Sequence, residues 1–404
     1  MTNNAKHWGT AGALSLMMLA GAAQADSLRI GALMPMTGDL QAYGESSRNG
    51  AQLALDEINA AGGVFGAPVE LQLADTQTEP QSGVDAAQRL VSVHNVSAIV
   101  GALSSGVTIP VASSVTSVEG VPQISNASTS PVMTGLDDND FLFRTTPSDA
   151  YQGVALAAVA VEKGVDSVAM LYINNDYGEG LADAFENAFN AAGGSVVGRS
   201  GYEPGQASYR GELNQVSDGS APLLLIGYPE NGQTIIRQAL EGGFFTDFLF
   251  TDGMKSPQIV ENLGAEFLNG SFGTAAEARD DTDAAAHFQT AYEAAYGEVP
   301  PVPYIDTAYD AVYSIALAAV AAGSNDPVAI RDHLRVINDP AGEVVGPGQF
   351  AEAVALLEAG TPINYEGASG SVDFDENGDV GGTFAHWEIQ NGEYVTVRVF
   401  EPSL

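Results

Sequence analysis

Residues 97–131 read SAIVGALSSGVTIPVASSVTSVEGVPQISNASTSP. Ala98 to Leu103 is an apolar run of strand length. Ser104, Ser105 and Gly106 follow it and open a segment that can be helical to about Val118. Glu119-Gly120 turns the chain into a second short strand, Val121 to Ser125. Asn126 to Thr129 then lie just past that strand's carboxyl end. Two neighbouring strand ends thus deliver small hydroxyl residues to one edge of a sheet, where open parallel α/β sheets bind ligands. Backbone N–H groups left unpaired at the helix start, beside two hydroxyls, make a site for an anion such as a carboxylate. The competing reading is that Ser104 and Ser105 only cap the helix.

Outward from this stretch, strand and helix alternate as in a parallel βαβ sheet. Strands are expected at Leu28–Leu33, Val69–Ala74 and Ser167–Ile173, near Val196, and at Pro222–Ile226 and Phe248–Thr251. Helical periodicity runs over Glu45–Ala61, Pro80–His94, Ala150–Lys163, Glu179–Ala192, Tyr209–Val216 and Gln233–Leu240. Phe141 to Pro147 looks like a crossing point, after which the alternation restarts. Helices follow at Ala284–Tyr296, Thr307–Ala322, Pro327–Ile337 and Gln349–Ala359. Val372–Phe374, Phe384–Gln390 and Tyr394–Phe400 look like closing strands.

The chain has 404 residues, too many for one ordinary domain. Met1 to Ala25 has a short basic start, an apolar run from Ala11 to Ala23 and an Ala23-Gln24-Ala25 cleavage signal, and is expected to be a signal peptide. That run is shorter than the roughly 20 residues a membrane span needs. There is no cysteine, so no disulfide framework and no thiol nucleophile. Fifty-one Asp and Glu stand against 14 Lys and Arg, a net charge of −37. The acids are scattered along the chain and not massed in a tail, and such a surface repels nucleic acid and anionic lipid.

No nucleophile elbow, P-loop, dinucleotide fingerprint or zinc-binding His-Glu-x-x-His is present. The five histidines are far apart, so no metal site is expected. Asp373-x-Asp375-x-Asn377-Gly378-Asp379 resembles the start of a calcium loop, but Phe384 stands where the bidentate glutamate would be. A turn between two strands is the expected reading.

Six short motifs together resemble the leucine/isoleucine/valine-binding type of periplasmic substrate-binding proteins of ABC transporters. They are GDLQAYG at Gly38–Gly44, Gly101–Ser105, ISNASTSP at Ile124–Pro131, NDYGEG at Asn175–Gly180, GYPENGQ at Gly227–Gln233 and Thr251–Gly253. The resemblance runs from about Leu28 to the tail. It implies the α/β two-lobed type I periplasmic-binding-protein fold, each lobe a mainly parallel sheet flanked by helices. The lobes are expected at 26–145 plus 274–362 and at 146–273 plus 363–404, joined by three crossovers and closing on a ligand.

The resemblance also implies roles. Ser105 and Thr129 match hydroxyls that grip a ligand's α-carboxylate, with Ser104 beside them. Ala127 matches a backbone carbonyl for the α-ammonium. Tyr43, Tyr177, Tyr228 and Tyr304 match aromatic walls, each of which could equally be a core tyrosine. Asp252 matches the acid that pairs with the ammonium, usually glutamate in the leucine-binding relatives; Asp-Gly after a strand is otherwise a common turn. Some relatives carry a disulfide cysteine where this chain has Ser104.

The implied function is the periplasmic component of an ABC importer, not an enzyme, that captures a small hydrophobic amino acid as a monomer and delivers it to a membrane permease without a cofactor. The alternatives are an extracytoplasmic sensing module of the same fold, or the same fold with an amide, urea or aromatic-acid ligand. A secreted hydrolase is disfavoured by the missing nucleophile elbow.

Overall fold

The computed structural model describes residues 1–2 and 27–402; nearly all of the expected signal peptide lies outside the described residues. Five strands form the first sheet: β1 (Arg29–Met34), β2 (Glu70–Asp75), β3 (Ala98–Gly101), β4 (Gln123–Ser125) and β5 (Leu142–Arg144). They pair in the order β2-β1-β3-β4-β5, all parallel. β5 lies in the stretch expected to be only a crossing; the chain leaves the first sheet just after it, at Thr145 to Ser148.

The second sheet repeats the plan with β6 (Ser167–Ile173), β7 (Ser195–Tyr202), β8 (Leu223–Ile226), β9 (Phe248–Phe250) and β10 (Phe272–Ala276). Their order is β7-β6-β8-β9-β10, again parallel. A third, small sheet contains β11 (Glu343–Val345), β12 (Ile363–Gly367) and β13 (Gly370–Ser371). β14 (Phe384–Gln390) and β15 (Glu393–Phe400) then extend the second sheet antiparallel, through β10. β10 escaped the periodicity reading because Phe272-Gly-Thr-Ala-Ala has no clear alternation and three of its five residues, Gly273, Ala275 and Ala276, are weak strand formers. Val372–Phe374 is not a strand. Asn338 Nδ2 holds the Val372 carbonyl at 2.7 Å, and Phe374 packs edge-on against Phe143 at 5.2 Å.

Buried on both faces, parallel strands read as continuous apolar runs. Every residue of β8, Leu-Leu-Leu-Ile, is 0% exposed. The 18-residue helix Ile305–Ala322 is apolar and long enough to cross a membrane, but 14 of its residues are buried within the protein. The helix Gln41–Ala60 crosses it so closely that a Cβ on Gly50 would lie 2.1 Å from the Ile305 carbonyl oxygen. Only glycine permits that approach.

Asp310 sits inside this helix, fully buried, and ties the third sheet to it. Its carboxylate accepts from Tyr365 Oη, the Ala368 and Ser369 amides and Ser369 Oγ, all at 2.5–2.8 Å. Burial nonetheless pushes its pKa up to about 6, with the four donors opposing. A folded pKa above the unfolded one means a contribution to stability that is complete below about pH 4 and is lost as pH rises to about 6. Raising a carboxyl from its ordinary value of about 4 to about 6 corresponds to about 3 kcal/mol. Urea unfolding from pH 3 to pH 7 should therefore show the parent losing about 3 kcal/mol relative to Asp310→Asn; parallel pH profiles would refute this.

The acidic loop forms a tight turn. Asp375 Oδ1 accepts the Asn377 and Asp379 amides, and Gly378 N–H returns to the Asp375 carbonyl. No metal-binding cluster of three or more His, Cys, Asp or Glu occurs among the described residues.

Candidate functional site

Both main sheets carry the same strand order, and in both the connections leave in opposite directions between the first strand and its inner neighbour. Those switch points lie between β1 and β3 and between β6 and β8. A crevice forms outside the carboxyl ends of strands at such a point. Tyr43 follows β1, Ser104 and Ser105 follow β3, Tyr177 follows β6 and Tyr228 follows β8. Ala127 and Thr129 follow β4, and Asp252 holds the same place after β9. The duplicated topology thus brings loops from two distant parts of the chain face to face.

The cleft they form encloses about 280 Å³, part of it open to solvent. Its lining includes Tyr43, Ser105, Ala127, Tyr177, Tyr228, Asp252 and Tyr304, with Leu40, Leu103 and Gly253 completing it. Seven of the nine expected site residues are therefore together. The other two are buried just behind the wall. Ser104 Oγ meets Tyr228 Oη at 3.0 Å, and Thr129 is 1% exposed. Ser104 makes no side-chain cap, and Ser105 Oγ accepts the Ser130 amide at 3.2 Å. The capping alternative therefore does not describe these serines.

Asp252, 3% exposed, is the electrostatic centre. Its Oδ1 accepts from Tyr177 Oη at 2.8 Å and Gln152 Nε2 at 2.9 Å, and its Oδ2 from Tyr304 Oη at 2.6 Å. Burial raises its pKa, and these three donors pull it back down. The Gly253 amide also favours its charged form. Tyr43 Oη donates to the Gly253 carbonyl at 2.9 Å and so bridges the two sides of the cleft. Gly253 has no room for a side chain, since a Cβ would lie 2.3 Å from the Gly227 carbonyl oxygen. Tyr177 and Tyr228 stack at 5.4 Å and 12° and form one apolar wall. Burial first, and Asp252's charge next, raise Tyr43, Tyr177 and Tyr304 far above the usual phenol range, so these three remain neutral donors.

Tyr304 adopts φ 75° at the start of its helix, a left-handed conformation uncommon outside glycine. Asn126 Nδ2 and Ser47 Oγ both donate to its carbonyl, at 3.1 and 3.4 Å, which fixes that backbone and aims the ring at Asp252. No Lys, Arg or His lines the cleft among the described residues, so a ligand carboxylate would meet neutral donors only.

Sequence reasoning missed Gln152 and Asp149. Both lie on the helix Asp149–Glu162, and Gln152 is its one amide, next to a long apolar run, which was a usable signal.

The family model described as periplasmic binding protein matches residues 27–375. The chain belongs to the periplasmic binding protein family. Within it, the chain is 32% identical over 396 residues to the Leu/Ile/Val-binding protein BraC3 of Rhizobium johnstonii, covering 96% of this chain and 98% of that protein. Among solved structures it resembles the substrate-binding protein LivJ of Streptococcus pneumoniae, a branched-chain amino acid transporter component in complex with isoleucine. That match has a TM-score of 0.78 at 27% identity and covers 93% of this chain and all of the other. The leucine-binding protein LivK of Thermotoga maritima matches with the same score and identity over 93% of this chain and 99% of its own.

Ser105→Ala and Thr129→Ala are each expected to weaken binding of a carboxylate ligand about 10- to 150-fold. A hydrogen bond to a charged group contributes about 1.5–3 kcal/mol. Calorimetry with the acid and its amide checks this; equal affinities for the two would remove the hydroxyls from the grip.

Proposed function

We propose that the protein captures a small α-amino acid with an apolar side chain, branched-chain in the first instance, and delivers it to the permease of an ABC importer. The observation that carries this is the pairing across one cleft of a buried acid, Asp252, with uncharged hydroxyl donors. That is the complement of a zwitterion whose remaining surface is apolar. Ser105 and Thr129 take the carboxylate, the Ala127 carbonyl and Asp252 take the ammonium, and Tyr177 and Tyr228 with Leu40 and Leu103 surround the side chain. The role is binding, with no catalytic step, by a periplasmic monomer. The ligands named for BraC3, LivJ and LivK support the same reading.

The lobes we propose are 26–145 plus 274–362 and 146–273 plus 363–404, with two adjustments. β10 belongs whole to the second sheet, so the second crossing comes after Ala276. β12 and β13 belong with β11 and are held by Asp310. The third crossing therefore belongs between β13 and β14. Each lobe alone offers half of the contacts, so a ligand bound by both favours the closed state by its difference in affinity for the two.

A thermal-shift panel of free amino acids, their amides and aromatic acids tests the assignment. A ligand at 100 times its Kd adds about 2.7 kcal/mol of stability. Leucine, isoleucine or valine should give the largest shifts. A response to aromatic acids alone would replace this reading.

A further inference from the structure

Behind the cleft lies a carboxyl group that the zwitterion reading leaves unused. Asp149 is 0% exposed, and neither of its carboxyl oxygens has a hydrogen-bond partner. Its amide donates to the Thr129 carbonyl at 2.8 Å, so the two residues lie against one another. The Thr129 hydroxyl, also buried and without a partner in hydrogen-bond geometry, is close enough to the acid to favour its charged form. The charged and titratable groups facing Asp149 are Asp252, the hydroxyls of Tyr177 and Tyr304, and the Arg144 guanidinium.

Two buried carboxyls that feel one another's charge cannot both ionise cheaply. The hydrogen bonds decide which one does. Asp252 receives three donors and Asp149 none, so the charge belongs on Asp252 and the proton on Asp149. Desolvation is the main cause holding Asp149 in its neutral form and the Asp252 charge comes second, with the Thr129 hydroxyl and then Arg144 opposing. A ligand that closes the cleft does not relieve that desolvation.

We propose that Asp149 is a positioning residue that works as a neutral carboxylic acid, its O–H turned to Thr129 Oγ1 so that Thr129 keeps its own hydrogen for the ligand's carboxylate. A hydroxyl has one hydrogen and two lone pairs, and a donor behind it leaves the hydrogen free to point forward. An ionised Asp149 would do the reverse, drawing the Thr129 hydrogen backward and placing a second negative charge near the ligand's own. This use of Thr129 rests on the zwitterion reading, whereas the proton on Asp149 does not.

The test is an infrared difference spectrum between the parent and Asp149→Asn at neutral pH, with and without leucine. A protonated-carboxyl C=O band belonging to Asp149 is expected in the parent in both states. Its absence without ligand, or its loss on binding, overturns the proposal. Calorimetry supplies the second arm. Asp149→Asn, neutral and nearly the same shape with an N–H to offer Thr129, should bind within about 3-fold of the parent, whereas Asp149→Ala should lose about 10-fold or more. A large loss in Asp149→Asn overturns the proposal, as does an alanine variant that binds like the parent. If no amino acid binds the parent while the infrared band is present, the zwitterion reading fails and the protonation of Asp149 stands.

Discussion

Replacing Asp252 with asparagine should lower affinity for the zwitterion at least about 30-fold. Closing the cleft takes the ligand's ammonium out of water, and truncating one partner of a buried charge pair costs about 2–5 kcal/mol. The local geometry adds to the loss. Asp252 accepts from Tyr177, Gln152 and Tyr304, and an amide cannot accept at both positions. Its NH2 must confront either the Tyr304 hydroxyl or the Tyr177–Gln152 pair of donors. A des-amino analogue, the corresponding carboxylic acid, has no ammonium to strand and should recover much of the difference. Titration calorimetry of both ligands against both proteins forms a double-mutant cycle. A coupling energy near zero would show that Asp252 does not meet an ammonium, and the ligand class would then shift to uncharged amides or aromatic acids.

The largest loss of stability is expected at a residue outside the cleft. Arg144, at the end of β5, has a side chain that is 0% exposed. Its Nε and Nη2 grip Asp379 at 2.7 and 2.6 Å. Nη1 donates to the Ser130 carbonyl and Nη2 also to Thr134 Oγ1. One guanidinium thus fastens the acidic turn, β5 and the segment after Thr129. Arg144→Met keeps the volume but removes the charged donors of Asp379 and the Ser130 carbonyl, leaving Asp379 only the Thr134 hydroxyl and the carbonyl only the Met133 amide. Breaking a buried pair from one side costs about 3–5 kcal/mol. Urea unfolding should show a midpoint shift of that size with an unchanged slope. Arg144→Met combined with Asp379→Asn should be less destabilised than the sum of the single variants. A loss below about 1 kcal/mol would mean that solvent at Asp379, 15% exposed, suffices to replace the arginine.

Much of this molecule is legible along the chain. Apolar runs punctuated by glycine mark β1, β3, β6 and β8. Hydroxyl and tyrosine residues at their carboxyl ends mark the cleft. Those are local properties, set by side-chain period and backbone conformation within a few residues, so the sequence alone determines them. What it does not determine is partnership. β10 is too poor in alternation to announce itself and joins its sheet because β9 and β14 stand on either side. Asp379, read as part of a plain turn, is an arginine's counter-ion 235 residues away in sequence. Asp149 looks like an acid at a helix start. Only the packing of Thr129, Asp252, Tyr177 and Tyr304 around it strips away water and leaves its oxygens unpaired. Desolvation and long-range hydrogen bonds arise from the whole fold, and no stretch of sequence contains them by itself.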